Sequence, residues 1–340
     1  MIRPAPPRRT FEWTVIAFTG FCIALLYGLV ASDHLLRSTA ESGAGLSSKS
    51  PRPAAVKSRK SSWILPKPIM VQYVAPSVKL RDVFDGIDYR LDGVRRHGEV
   101  PRLFFVSLPA DLQRIRQPGE RKAMFIKTTL PLILHANEII RFERAKITAL
   151  RDRAAEGDAL NKEEQAWLGR VSDEYGLEKP SFARLLRRVD VIPPSLALAQ
   201  AAEESGWGTS RFAHEGNAIF GQRTWPHHGR DGIVPEQRNA GETFKVRMFE
   251  QLIDGVRSYA RNLNGHFAYD DFRRAREAQR NRGDRPGGYA LAGTLSKYSE
   301  RGEEYVETIR TIIRVNGLQV FDRARLRDRF AVDDGQTPDA

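Results

Sequence analysis

The feature that most constrains this chain is an apolar stretch that ends in two glutamates. Residues 193–202 have the composition of a buried helix, and Glu203-Glu204-Ser205-Gly206-Trp207-Gly208-Thr209 follows them directly. Pro193-Pro194 suits a first helical turn, and Gly206 suits the end of the helix. A carboxyl at such a last turn, beside a tryptophan, can be buried and kept protonated near neutral pH. The pattern indicates a general acid of the kind that protonates a glycosidic oxygen.

Only one of the two glutamates can be that acid. Adjacent helical residues point about 100° apart, so Glu203 and Glu204 cannot face the same groove. Glu204 is the better candidate because it adjoins Ser205-Gly206, where the backbone leaves room for a substrate. The alternative is a solvated helix end, although acidic side chains at that end oppose the helix dipole.

The N-terminus carries a candidate membrane anchor. Three arginines within residues 1–12 precede twenty uncharged residues, 13–32, about the length that crosses a hydrocarbon core of ~30 Å. Trp13 and Tyr27 lie towards its two ends, where interfacial aromatic residues are favoured. We therefore expect a single-pass protein of the cytoplasmic (inner) membrane, with residues 1–12 in the cytoplasm and the rest facing the periplasm or cell wall. A signal peptide cleaved after Val30-Ala31-Ser32 is the alternative.

The segment after the anchor and the charge balance indicate possible partners. Residues 33–70 are rich in Ser, Pro and cations, which predicts a flexible basic linker because little apolar surface is available for burial. Formal net charge is +12, a balance that favours anionic lipid, an acidic wall polymer or nucleic acid. The export segment and the lack of a recognisable recognition helix argue against nucleic acid.

Cys22 is the single cysteine, so no intramolecular disulfide is possible.

Helical periodicity dominates from residue 119 onward, whereas residues 71–112 mix short strand-like and turn-like pieces. Pro131 is expected to kink or divide the first helix. A second helix is predicted over 162–175, with Asn161 as its cap and Glu164 completing a capping box.

A small β lobe is predicted between helices. Apolar residues alternate over 244–249, which is typical of a strand, and residues 223–241 suit a loop or hairpin turn. Helical spacing returns after residues 252 and 305. The sequence therefore predicts a mainly α architecture with one inserted β-hairpin lobe.

Residues 201–208 followed by Asn217-Ala218-Ile219-Phe220-Gly221 resemble the glucosaminidase domain of bacterial peptidoglycan hydrolases. That group is glycoside hydrolase family 73, also called mannosyl-glycoprotein endo-β-N-acetylglucosaminidase-like. The resemblance extends over about 71–318 and is greatest to the Bax-type branch of bacterial envelope proteins. Further segments that match this branch are Val100–Phe104, Leu130–Leu134, Ala136-Asn137-Glu138, Asn262-Leu263-Asn264 and His266.

The resemblance implies a lysozyme-like α lobe with the β-hairpin lobe inserted into it. Residues 71–180 would form the helical N-terminal part of the catalytic region, and 181–320 the glucosaminidase domain. A polar tail, 321–340, would follow. The partners implied are peptidoglycan glycan strands, and the inner membrane through the anchor.

The activity implied is hydrolysis of the β-1,4 bond that follows N-acetylglucosamine in peptidoglycan, with Glu204 as general acid. Tyr298 matches the place of a tyrosine that assists in relatives. Glu236 is the first candidate for a second carboxylate and Glu242 the other. If neither serves, the acetamido group of the substrate could act instead, or the enzyme could be a lytic transglycosylase with one glutamate.

Three residues near the motif are candidates for substrate binding, namely Trp207, Phe220 and Asn217. The two aromatic rings could stack on sugar faces, although core packing beside the acid is the alternative for each. His227-His228 lacks a third ligand at a recognisable spacing, so we expect no metal and no cofactor. A non-catalytic wall-binding or scaffold protein with the same fold is the remaining alternative.

Overall fold

Helices form most of the part of the chain that the computed structural model describes, residues 70–71, 77–225, 229, 231–236 and 241–327. The predicted anchor at 13–32, nearly all of the linker, His227-His228 and the tail beyond 327 lie outside these residues. Among the helices described, none is both long and apolar enough to cross a membrane.

The helices are α1 (Ser77–Gly86), α2 (Leu91–His97), α3 (Pro118–Ala155), α4 (Lys162–Glu174), α5 (Phe182–Arg188), α6 (Pro194–Ser205), α7 (Arg211–Gly216), α8 (Leu252–Gly265), α9 (Asp270–Asn281), α10 (Gly288–Ala292) and α11 (Glu303–Val315). The strands are β1 (Met70–Val71), β2 (Glu99–Val100), β3 (Phe104–Phe105), β4 (Arg223–Thr224), β5 (Gly232–Ile233), β6 (Lys245–Arg247) and β7 (Arg325–Leu326). Short 3-10 helices cover Leu112–Arg114, Phe267–Tyr269 and Leu318–Arg323.

The segment before α3 contains two helices, where the sequence suggested only strand-like and turn-like pieces. In α1 the buried residues Leu80 and Phe84 are four apart, which places them on one helix face. The strands of this region are two residues long and pair in parallel, β1 with β3 and β2 with β7. The pairing of β2 with β7 ties the start of the described domain to its end.

Helix α3 continues through Pro131, so the expected division of the helix is wrong, and the alternative of a kink stays a prediction. A proline in a helix interior removes one backbone hydrogen bond, at a cost of about 3 kcal/mol. Here residues 128–137 are all buried, and α3 packs against α5, α6 and α8. Because tertiary packing supplies most helical stability in proteins, it outweighs the local cost of the proline.

The helix that carries the glutamates lies at the centre of the fold. Helix α6 is buried from Pro194 to Ala202, and Gly206 ends it in the left-handed conformation with φ 57°. It packs against α3, α10, α11 and the 3-10 helix Leu318–Arg323. Asp322 accepts the backbone N–H and the hydroxyl of Ser195, each at 2.8 Å, and so caps the start of the helix. The predicted start and end of this helix are confirmed.

The other local predictions agree with the structure to different degrees. The capping box of α4 is present, because Asn161 accepts the N–H of Glu164 and the Glu164 side chain accepts the N–H of Asn161. Strand β6 lies within the predicted strand, and its neighbours β4 and β5 form an antiparallel sheet of order β4-β6-β5. These two neighbours lie in the segment that was predicted as a loop or turn. Two-residue strands are too short to show an alternating pattern.

Candidate active site

Glu204 is a half-buried carboxyl at the end of α6. Its Oε1 accepts the hydroxyl hydrogen of Tyr305 over 3.0 Å. Burial raises the pKa of Glu204, the charge of Glu203 adds to this rise, and the Tyr305 hydrogen bond and the cations Arg301 and Arg223 oppose it. The net direction is upward, which favours the protonated carboxylic acid.

A buried polar chain continues from Glu204 into the core. Gln200, one helical turn before it, is fully buried. Its Nε2 donates to the Tyr305 hydroxyl over 2.9 Å, and its Oε1 accepts the hydroxyl hydrogen of Tyr259 over 2.7 Å. The four side chains thus form a continuous chain of hydrogen bonds.

Two adjacent residues of the loop before α11 form ion pairs with residues of two different elements. Arg301 Nη2 lies 2.7 Å from Oε1 of Glu203 on α6. Its neighbour Glu300 lies 3.4 Å from Nη2 of Arg223 on β4. The loop therefore connects the glutamate helix with the β lobe.

Tyr298, on the same loop, lies beside the acid. Its ring stacks on that of Tyr305, with centroids 5.4 Å apart and planes inclined by 10°. Burial raises the pKa of the Tyr298 hydroxyl, and its neighbours Tyr305 and Glu204 raise it further. The predicted assisting tyrosine and the predicted acid thus belong to one cluster.

Trp207 packs against the long helix. Its ring meets Phe125 edge-on, with centroids 5.8 Å apart, and the Lys122 ammonium lies 4.8 Å from its centroid. The ring stays partly exposed, so its stacking on a sugar remains a prediction.

Phe220 and Asn217 are held by contacts with other residues of the protein. Phe220 is 3% exposed, and its ring lies parallel to that of Tyr259 at a centroid distance of 3.8 Å. Asn217 ends α7 in the left-handed conformation, and its Nδ2 donates to the carbonyl oxygens of Phe249 and Glu250, each at 3.1 Å. Both residues therefore support the segment between α7 and the β lobe, and their contact with substrate remains a prediction.

The candidates for a second carboxylate lie in the β lobe. The Glu236 side chain is 83% exposed and lies 3.5 Å from Nε of Arg211 on α7. Glu242 is partly exposed. Each role stays a prediction. Over the described ranges, no group of three or more His, Cys, Asp or Glu side chains is arranged to hold a metal ion.

Several residues of this cluster were not singled out for function from the sequence. The sequence places Tyr305 in the apolar stripe of its helix and Gln200 in an apolar stretch. A glutamine within an otherwise apolar buried helix is a signal, because buried polar groups need hydrogen-bond partners. Gly221 is a further case: it has φ 58°, and a Cβ there would lie 3.1 Å from Oε2 of Glu204.

Comparison with known proteins places this chain in a family. The family model described as mannosyl-glycoprotein endo-beta-N-acetylglucosaminidase matches residues 179–318, which include Glu204, Tyr298 and Tyr305. Protein bax of Escherichia coli (strain K12) is 31% identical over 207 residues, which cover 58% of this chain and 70% of that protein.

A solved structure, the catalytic domain of the autolysin Auto from Listeria monocytogenes, aligns with 51% of this chain and 96% of its own. Its identity is 15% and its TM-score 0.30. The family match and the extended similarity to Protein bax agree with the motif at the end of α6. The chain therefore belongs to the glucosaminidase family, in its Bax-type branch.

Proposed function

We propose that this protein hydrolyses the β-1,4 bond that follows N-acetylglucosamine in peptidoglycan, with Glu204 as the general acid. The observation that carries the proposal is the half-buried Glu204 carboxyl, whose pKa is raised by burial and which Tyr305 holds by a hydrogen bond. Membership of the glucosaminidase family supports the reaction class. The net charge of +12 suits a polymer that bears peptide carboxylates.

In the proposed reaction, protonated Glu204 gives its proton to the glycosidic oxygen as the bond from that oxygen to the anomeric carbon breaks. Water then attacks the anomeric carbon and loses a proton to a base. The base is a β-lobe carboxylate, with Glu236 proposed first and Glu242 second. In the alternative, the acetamido oxygen of the substrate bonds to the anomeric carbon as the glycosidic bond breaks, water then displaces that oxygen, and the Glu204 carboxylate takes the proton of the water. Tyr298 orients the N-acetyl group or the water, a role that its stacking beside Tyr305 supports.

The proposal includes the setting of the reaction. The helical part and the β4-β6-β5 sheet would correspond to the two lobes of a lysozyme-like fold, with Glu204 between them. The segment at 13–32 would anchor the protein in the inner membrane, and 33–70 would let the domain reach the wall. Trp207, Phe220 and Asn217 would shape the sugar-binding side of this cleft.

A lytic transglycosylase with a single glutamate is the second candidate. It is favoured by the ion pairs of two other acids, Glu203 with Arg301 and Glu236 with Arg211. Such an enzyme would close an internal anhydro ring on the sugar instead of adding water.

The test is digestion of purified peptidoglycan by the full-length chain in mild detergent, followed by mass spectrometry of the soluble fragments. Fragments with reducing-end N-acetylglucosamine support the proposal, and anhydro-muramic ends would support the transglycosylase. Binding to the wall without release of fragments would contradict both and leave a scaffold role. General acid catalysis contributes about 10²–10⁴-fold, so Glu204→Gln is expected to lose that much activity. The exposed Glu178 gives the matched control, Glu178→Gln, which should retain it.

A further inference from the structure

We propose that Gln200 is a positioning residue, which directs the hydroxyl hydrogen of Tyr305 towards Oε1 of Glu204 and thereby leaves the transferable proton on Oε2. This inference rests on the proposed function, because it concerns the proton that Glu204 would donate. Gln200 does not touch the acid itself and acts through Tyr305.

The argument begins with the donors and acceptors of the buried chain. A tyrosine hydroxyl has one hydrogen to donate, whereas a glutamine amide has an oxygen that accepts and a nitrogen that donates. Tyr259 donates to Oε1 of Gln200 over 2.7 Å, so Nε2 of the same amide faces Tyr305. That nitrogen donates to the Tyr305 hydroxyl oxygen over 2.9 Å.

The hydrogen of the Tyr305 hydroxyl can then point in only one direction. Because its oxygen already accepts from Gln200, its own hydrogen points to Oε1 of Glu204, 3.0 Å away. An oxygen that accepts this hydrogen is the less favourable place for the proton of a carboxylic acid. The acidic proton is therefore expected on Oε2.

The space around Oε2 agrees with this assignment. Gly221 lies beside it, and a Cβ at that position would come within 3.1 Å of Oε2. The glycine therefore keeps the approach to this oxygen open. After the proton is transferred, the Tyr305 hydrogen bond remains and stabilises the carboxylate that forms.

A purely structural role for Gln200 makes a different prediction. Gln200, Tyr259 and Tyr305 are all at most 1% exposed, so the amide also satisfies two buried hydroxyls, and its loss should reduce stability. Loss of a structural contact alone would leave the pKa of Glu204 unchanged. Loss of a positioning contact changes it.

Several titratable or charged groups lie close enough to Glu204 to interact with it electrostatically. They are Glu203 on α6, Arg223 on β4, Tyr259 on α8, Tyr269 in the 3-10 helix 267–269, Tyr298 and Arg301 on the loop before α11, and Tyr305 on α11. Substitution of Gln200 leaves all of these side chains in place, so a shift in the pKa of Glu204 on that substitution reports the direction of the Tyr305 hydroxyl.

The experiment is a carbon-13 NMR titration of the Glu204 carboxyl in the full-length chain, labelled at glutamate and assigned by the signal that Glu204→Gln removes. Tyr305→Phe deletes a hydrogen bond to the ionised form, so the pKa of Glu204 should rise. Gln200→Met should also raise it, because the Tyr305 hydroxyl is then free to turn. In the double variant, Gln200→Met should add no shift to that of Tyr305→Phe.

Two further variants remove a single buried hydroxyl each, one within the hydrogen-bonded chain and one outside it. Tyr259→Phe removes one hydroxyl and frees the Gln200 amide to turn, so the pKa of Glu204 should again rise. The hydroxyl of Tyr89, which is buried without a hydrogen-bond partner within the described part of the chain, provides the matched control. Tyr89→Phe should leave the pKa unchanged.

The proposal is overturned if folded Gln200→Met or Tyr259→Phe leaves the Glu204 pKa at the wild-type value. It is also overturned if Gln200→Met shifts this pKa equally with and without the Tyr305 hydroxyl. Because the titration needs no turnover, it decides the role of Gln200 even if the wall digestion fails. If the wall is digested, the alkaline limb of the rate profile should move in the same direction.

Discussion

Arg301 holds Glu203 by an ion pair of 2.7 Å between Nη2 and Oε1, while the neighbouring Glu204 is held by the neutral hydroxyl of Tyr305. The two adjacent carboxyls of the motif therefore lie in different electrostatic surroundings. Glu203 is compensated by a cation, and Glu204 is half-buried beside a phenol. This difference, more than their order in the chain, supports Glu204 as the acid.

Neutralising Glu203 and neutralising Arg301, each in a separate variant, should shift the pH profile of activity in opposite directions. The charge of Glu203 raises the pKa of Glu204, and that of Arg301 lowers it. A general acid is active while protonated, so the alkaline limb of kcat/KM follows the pKa of Glu204. Glu203→Gln should shift the limb to lower pH, and Arg301→Gln to higher pH, in profiles of wall hydrolysis.

The control for this pair is Glu307→Gln, which neutralises an exposed glutamate of α11 that pairs with Arg310 and should leave the limb in place. Added salt should reduce both shifts, because the side chains of Glu203 and Arg301 are 26% and 41% exposed. Shifts of the same sign in the two variants would contradict the assignment of Glu204.

A second prediction concerns stability, because burial raises the pKa of Glu204 in the folded state. Between its unfolded and folded pKa, the native protein binds more protons at this site than the unfolded chain does. The contribution of Glu204 to the free energy of unfolding is thus fully present below the unfolded pKa and is lost as pH rises through the folded pKa. Glu204→Gln should therefore increase the free energy of unfolding at pH 7, by about 0.5–2 kcal/mol.

The measurement is urea denaturation of wild type and Glu204→Gln from pH 4 to pH 8. The gain from the variant should shrink towards acidic pH, where the wild-type carboxyl is itself protonated. A gain that is independent of pH would show that the effect is unrelated to ionisation.

Features of the site formed by residues close together in the sequence could be predicted, whereas contacts between residues far apart in the sequence could not. The end of α6 is a local feature, so the apolar run, the glutamates and Gly206 predict it directly. The hydrogen bond from Tyr305 to Glu204 joins residues that are 101 positions apart. Nothing in a local pattern distinguishes Tyr305 from an ordinary core tyrosine, whereas Tyr298 is predicted only through the family resemblance.

The same reasoning explains the errors in the fold. The capping box at Asn161 lies within four residues and was predicted correctly. Pro131 has a strong local effect that the packing of α3 against three other helices overrides. Strands β4 and β5 depend on pairing with β6, and this pairing is not visible in a two-residue segment.

A third prediction concerns Gly208, the second glycine of the motif. Its φ is 79°, and a Cβ would lie 2.8 Å from carbons of Leu108, Leu112 and Phe125. Positive φ costs a non-glycine residue about 1–2 kcal/mol, and overpacking a core adds about 1–3 kcal/mol. Gly208→Ala should therefore lower the free energy of unfolding by about 2–5 kcal/mol, measured by urea denaturation.

Gly119 gives the matched control for this substitution. It lies in the first turn of α3, and a Cβ there would meet no atom within 4 Å. Gly119→Ala should be neutral or stabilising by up to about 1 kcal/mol, since alanine is the better helix former. Equal losses in the two variants would contradict a steric role for Gly208.

The last prediction concerns Asp190, which is 2% exposed and serves as the counter-charge of an arginine cluster. Arg280 hydrogen-bonds its carboxylate, and fully buried Arg276 lies 3.7 Å from its Oδ2. Burial alone would raise the pKa of Asp190, but the hydrogen bonds from Arg280 and the charges of Arg276, Arg144 and Arg280 lower it below its usual value.

Because this pKa is depressed in the folded state, the stabilisation by Asp190 is present above the unfolded pKa and is lost as pH falls through the folded one. Asp190→Asn leaves Arg276 buried without its counter-charge, a change that typically costs about 3–5 kcal/mol. That loss is expected in urea denaturation at pH 7 and should diminish at strongly acidic pH. Asp152→Asn removes the partner of Arg151 at a side chain that is 55% exposed, and should cost at most about 1 kcal/mol. A loss for Asp190→Asn that is no larger than this would show that the hydrogen bonds from the Arg276 guanidinium to backbone carbonyl oxygens alone hold the cluster together.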